Sequence, residues 1–222
     1  MFWRSKEKQQ PPQFSARDLL FGDLPRSAWP ESKQQQVEPW QSFIKSREQL
    51  EAGNQPGSIA SLQQIVTMTG LESRHYLQAW HFLRGLGVFP ANGDGKRLYG
   101  VVVEVALKRG LDLLAAYADG TARYFNWSGA GIVWERPDNS LDPLIKSLLD
   151  LGQQVVDEIG PWDAERPPAP PEGYVRINLL VPSGLHFGYG LFEQLEADSL
   201  GGPLITAATR LMQALIAKSE KR

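Results

Sequence analysis

Apolar positions keep a helical period through the first part of the chain and alternate through the second. Trp40, Phe43, Ile44 and Leu50 recur at near-helical spacing, Pro39 stands where a first-turn proline belongs, and Gly53 closes the run, which predicts a helix. After the NQPG turn, Ser58 is the expected cap of a helix over about residues 59–68, and a further helix is expected over 73–86. From Lys96 the period shortens. RLYGVVVEVAL, LDLLAAYA and TARYFNW are rich in β-formers and are separated by KRG and by Asp119-Gly120, so they predict an antiparallel meander that GIVWE extends.

The remainder returns to mixed elements. Asp142 is the expected cap of a helix with Pro143 in its first turn and a stripe of Leu144, Leu148, Leu151, Val155 and Ile159, ended by Gly160-Pro161. PWDAERPPAPPEG, residues 161–173, is too proline-rich for helix or central strand and predicts a stiff, extended connector. YVRINLLV and LHFGYGLF are strands, the second weaker, and Pro203 opens a last helix on which Leu204, Ala208, Leu211 and Leu215 align. The order specifies an α+β fold with an antiparallel sheet of five to six strands and two covering helices. The expected organisation is a flexible tail over 1–14 carrying Phe2 and Trp3, with Ser15 capping a short helix after it. A helical module follows over 15–95 and an antiparallel α+β domain over 96–222.

Between the helices, Ile65 and Val66 precede Gly70, and Leu71, Tyr76, Leu77, Ala79, Trp80, Leu83 and Gly87-Val88 follow it. Over residues 58–100 this resembles the helix-turn-helix core of winged-helix proteins, and ANGDGK, residues 91–96, is similar to the tip of a wing hairpin. The resemblance implies that Arg74, His75 and Gln78 on the second helix, with Lys96 and Arg97 on the wing, contact DNA or a partner. Four basic residues (Arg74, Arg84, Lys96, Arg97) against two acidic ones (Glu72, Asp94) leave that stretch a surplus of only two positive charges. The whole chain carries −2, which gives no general attraction for a polyanion.

Composition narrows the chemistry. The 222 residues are 42% hydrophobic, enough for a sizeable core, and contain no cysteine, which removes disulfides, thiolate metal sites and cysteine nucleophiles. With no signal-like or membrane-spanning run, a cytoplasmic location is expected. The three histidines, His75, His81 and His186, are the candidates for acid–base work near neutral pH. His75 and His81 are six residues apart, the wrong spacing for two ligands on one helical face, so no metal site is expected. Ser183 in VPSGLH lacks a nucleophile elbow and GLHFGYG lacks a phosphate-loop lysine, so no cofactor is expected either.

Glu104 stands alone among valines, where burial demands a partner. Tracing the hairpins puts it opposite Leu114 and puts Arg123 opposite Ala116 on the same face, which predicts a diagonal structural ion pair between Glu104 and Arg123. Phe125 and Trp127 are expected on that face and Tyr117 and Tyr124 on the other. Phe125, Trp127 and Trp134 are candidates for an aromatic groove with Arg123 at its floor. The meander together with GPWDAERPPAPPEGYVRINLL also resembles bacterial proteins of similar size and unknown activity, which implies a bacterial cytosolic origin. The expected function is that of a noncatalytic cytoplasmic binding or adaptor protein acting on a protein partner. The alternatives are a winged-helix regulator that binds nucleic acid through Arg74, His75, Gln78, Lys96 and Arg97, and an enzyme using Glu104 with a histidine.

Overall fold

A computed structural model describes residues 14–31 and 37–220, so Phe2 and Trp3 lie outside the described residues. Three helices come first: α1 (Trp40–Glu51), α2 (Gln55–Thr67) and α3 (Ser73–Gly85). Helix α2 starts earlier than Ser58. Asn54 accepts from the Gly57 amide at 3.0 Å and Pro56 occupies the first turn, while Ser58 is buried inside the helix and bonds Ser46 Oγ at 2.8 Å. Residues 91–96 do not form a hairpin tip; Asn92–Gly95 is a single helical turn, α4, closed by Gly95 N–H donating to Ala91 O at 2.8 Å.

The sheet then forms from β1 (Gly100–Leu107), β2 (Gly110–Tyr117), β3 (Ala122–Phe125) and β4 (Gly131–Trp134). Helix α5 (Asp142–Glu158) crosses back and leads through the connector to β5 (Tyr174–Val181) and β6 (Gly184–Leu191). Two helices, α6 (Phe192–Ala197) and α7 (Gly201–Ser219), close the described chain. All pairings are antiparallel in the order β4-β3-β2-β1-β5-β6, so the fold is α+β with a helical N-terminal module. The short α6 had no sequence signal. It hands the chain to α7, whose first amides, Leu200 and Gly201, are capped by Asp198 Oδ1 at 2.9 and 2.7 Å.

Both faces of the sheet are covered, as its sequence pattern requires. Val101, Val103, Leu114, Ala116, Ile177 and Leu179 pack under Ile145, Leu148, Val155 and Val156 of α5 and Leu204, Ala208, Leu211 and Leu215 of α7. The buried stripe of α5 is centred on Ile145 and Val156, which turns Leu144, Leu151 and Ile159 to its half-buried flanks. The opposite face carries Val102, Leu113, Ala115, Tyr117 and Leu180, and is roofed by Leu20 and Phe21 of an N-terminal strap, residues 14–31, and by Leu77 of α3.

Specific polar contacts fasten the helices to that face. Tyr117 Oη donates to Leu20 O at 2.7 Å in the core. The Ser73 amide donates to Asp119 Oδ2 at 2.5 Å while Ser73 Oγ accepts from the Asp119 amide at 3.1 Å, so the β2–β3 turn caps α3. The strap is itself shaped locally: Ser15 Oγ donates to Asp18 Oδ2 at 2.7 Å and accepts from the Asp18 amide at 3.3 Å, beside the start of the 3-10 turn Asp18–Leu20.

Candidate functional site

The charged residues of the roofed face are organised around Glu104, which has no solvent exposure. Its Oε1 accepts from Arg17 Nε of the strap, and its Oε2 accepts from Asn178 Nδ2 at 3.0 Å and from Arg176 Nη1 at 3.5 Å. Both arginines reach on to the connector, Arg17 to Pro167 O at 2.8 Å and Arg176 to Pro168 O at 2.6 Å. One carboxylate therefore ties together strap, sheet and connector, and its two cations keep it compensated.

Arg123 is not its partner. Arg123 bonds Glu135 at 2.7 Å instead. The hairpin register differs by one residue from the expectation because Gly110 joins the ladder opposite Leu107, which leaves Lys108-Arg109 as the loop and puts Glu104 opposite Leu113. A second one-residue difference places Arg123 opposite Ala115, so the two charges do share a face, but β2 lies between them. Tyr117 consequently belongs to the Glu104 face and not to that of Tyr124. The expected aromatic groove does not form either: Phe125 packs on the strap side, Trp134 is buried on the α5–α7 side, and Trp127 is exposed beyond the end of β3.

The residues expected at a nucleic-acid or partner surface are divided between interior and exterior. Arg74 donates to Leu19 O at 3.1 Å and to Glu72, and lies over the Tyr117 ring. Gln78 is buried and bonds both backbone groups of Leu24, donating to its O at 2.9 Å and accepting from its N at 3.2 Å. His75 is packed edge-on against Trp40. The strap occupies the helix face that would have pointed outward. Lys96 and Arg97 are exposed, with Lys96 donating to Asp157 O at 3.2 Å and Arg97 over the Tyr99 ring.

A cleft of about 1150 Å³ opens where four stretches distant in sequence meet. Leu77, His81 and Arg84 of α3 form one wall and Phe21, Asp23 and Arg26 of the strap adjoin it. Residues 159–166, leading from the end of α5 into the connector, and the β5–β6 turn with His186 form the other side, and Phe89 and Lys96 also line the cleft. The walls are held by backbone-directed bonds: Arg84 Nη1 donates to Pro182 O, the Ser183 amide to Gly95 O at 3.0 Å, and the Trp162 amide to Leu185 O at 2.7 Å. Arg166 is gripped by Asp23 at 2.6 Å and Asp18 at 3.3 Å and lies over the Phe21 ring at 4.2 Å.

Burial holds His81 below its ordinary value, with Arg84, Arg26 and Arg166 acting in the same sense against Asp23. His186 is also pushed down by burial. Its Nδ1 lies 3.4 Å from Gly184 O, and its buried Nε2 has no hydrogen-bond partner. Glu104 and His186 do not converge. Glu104 is on the strap face beside Arg176, whereas His186 stands opposite Leu179 on the α5–α7 face.

Among the described residues, no group of three or more His, Asp or Glu side chains could hold a metal ion, and no helix is long and apolar enough to cross a membrane. Comparison with family models, with curated proteins and with solved structures returns no match. Sequence reasoning missed Arg17, Arg84, Arg166 and Arg176 as site or network residues. The only available signal was the recurrence of lone arginines in apolar or proline-rich surroundings (FSARDLL, AERPP, YVRIN), each of which demands a counter-charge if buried.

Proposed function

We propose that this chain is a noncatalytic binding or adaptor protein whose cleft receives a segment of a protein partner. The observation that carries the proposal is the make-up of the cleft. Its aromatic side chains Phe89 and Trp162 are 68% and 46% exposed, next to cations and to backbone held in place by the bonds described above. Exposed aromatics beside a preformed polar frame are what partner recognition uses, since their apolar area is removed from water only when a partner covers it.

Two further features favour binding over the alternatives. The carboxylate and imidazole that an acid–base reaction would need lie on opposite faces of the sheet. Arg74, His75 and Gln78, which a DNA reader would turn toward base edges, are engaged with the strap and with α1.

The test is selection of peptides from a displayed random library on the purified protein, followed by affinity measurement on wild type and Phe89→Asp. Phe89 is exposed, so its replacement leaves the fold intact. Selected peptides are expected to lose at least about tenfold in affinity, equivalent to ~1.4 kcal/mol. Peptides that bind the variant equally well, or no selected peptide at all, would remove the cleft as the working surface.

A further inference from the structure

We infer that this chain forms a two-fold dimer through strand β6, whose free edge pairs antiparallel with β6 of a second copy. None of residues 187–191 lines the cleft, so pairing here is independent of what the cleft holds. The sheet ends in two unlike edges, β4 and β6. Strand β4 has four residues and runs directly into Glu135, Arg136 and Pro137, so its shortness, the charges and a missing amide all discourage a further strand. Strand β6 has eight residues and contains neither a charged residue nor a proline, and its register with β5 runs unbroken by a bulge.

One contact shows which backbone groups of β6 are free. Leu185 O accepts from the Trp162 amide of the connector at 2.7 Å, so Leu185 points away from β5. The alternation of an antiparallel ladder turns Phe187, Tyr189 and Leu191 the same way. Among the described residues, no backbone group bonds Phe187 or Tyr189 from that side. The connector closes the edge at Leu185 and α6 begins at Phe192, which leaves 187–191 open with Tyr189 at its centre. Its outward side chains are uncovered too, Tyr189 and Leu191 being 44% and 40% exposed. Unpaired amides and carbonyls at strand spacing are matched by another strand.

The sequence of the open stretch argues for a second copy. FGYGL, residues 187–191, reads nearly the same in both directions about Tyr189. A two-fold axis through Tyr189 sets it against Tyr189 of the second copy, Phe187 against Leu191, and Gly188 against Gly190. The glycine pairs fall at the positions without ladder hydrogen bonds, where the two backbones approach most closely. A β-carbon on Gly188 would meet nothing within 4 Å in its own chain, so that side is open to a neighbour. No charged side chain lies in the stretch, and Arg176, over the Tyr189 ring at 5.1 Å, is compensated by Glu104, so like charges do not oppose each other across the axis. Pairing joins two six-stranded sheets into one, and the contact is isologous, as in most soluble dimers.

Sedimentation equilibrium over a concentration series tests the dimer. Wild type is expected to associate with a Kd below about 100 µM, the weak side for an interface of one strand pair. Leu191→Lys and Tyr189→Lys each bring two like charges close to the axis and should weaken association at least about tenfold, whereas Val133→Lys on β4 should leave it unchanged. Tyr189 also stacks on Tyr174, so Tyr189→Lys is read only if its melting temperature is kept, and Leu191→Lys stands alone otherwise. Because the chain has no cysteine, Tyr189→Cys supplies a single thiol at the axis. The paired α-carbons there stand about 5.5 Å apart, within disulfide reach, so mild oxidation should link this variant into dimers much faster than Val133→Cys. A wild-type Kd above about 100 µM overturns the dimer and passes the edge to a strand of another protein. Association that Leu191→Lys leaves unchanged, or equal cross-linking of the two cysteine variants, overturns β6 as the interface.

Discussion

Glu104 shows how one side chain decides the fate of several segments. Removing it leaves Arg17 and Arg176 buried against each other's charge, whereas the remaining hydrogen bonds to Pro167 and Pro168 cannot replace a carboxylate. Glu104→Ala should therefore destabilise the protein by about 3 kcal/mol in denaturant unfolding. In double-mutant cycles it should couple to Arg17→Met by more than ~1 kcal/mol and be additive with Arg123→Met within ~0.5 kcal/mol. Coupling to Arg123 and none to Arg17 would contradict the observed pairing.

The histidines carry the pH dependence. Burial lowers His75, His81 and His186 below their ordinary 6.5 in the folded state. The unfolded chain then binds more protons just below that value, so their contribution is complete above 6.5 and is lost as pH falls toward the folded values. The melting temperature should drop between about pH 7 and about pH 5, and the drop should be smaller in His186→Leu. A midpoint that rises on acidification over this range would contradict the burial of neutral imidazoles.

At the scale of elements, the strap and α3 depend on a close backbone approach at Gly22. Its φ is +66°, and a β-carbon there would sit 2.8 Å from both Arg74 O and Leu77 Cβ. Gly53, at the end of α1, has φ +75° but open space around it. Gly22→Ala combines backbone strain with an overlap that neither helix nor strap can relieve, and should cost roughly 3 kcal/mol, against about 1 kcal/mol for Gly53→Ala. Comparable losses at the two positions, measured by chemical denaturation, would show that the strap moves aside freely.

For the whole molecule, the helical module and the sheet are not independent bodies. The strap packs Leu20 and Phe21 on the sheet, Tyr117 and Gln78 bond its backbone, and Arg17 reaches Glu104 beneath it. A chain beginning at residue 32 should bare Val102, Leu113, Ala115 and Leu180 and leave Glu104 short of one cation. It should bind a hydrophobic dye strongly and lose its cooperative unfolding transition. An unchanged transition would mean that α1 to α3 cover the sheet without the strap.

The α+β class, helices α2 and α3, the meander, β5 and α7 were all legible in the chain, because helical and strand periods are local properties that each segment expresses without its neighbours. The burial of Glu104 and its need for a counter-charge were legible too, since a carboxylate among valines cannot be left unpaired. Which cation answers it was not. Arg123 is nearer in sequence and on the same face, and the two one-residue shifts of register leave its offset from Glu104 unchanged, but the return of a strap 87 residues away gave the place to Arg17, with Arg176 from the neighbouring strand. The outward-facing role expected for Arg74 and Gln78 was reversed for the same reason: a helix states which residues share a face, but only packing decides what covers that face. The cleft is the extreme case. Its walls come from the strap, α3, the connector and the β5–β6 turn, none of which carries a motif, so it exists only once long-range contacts bring those four stretches together.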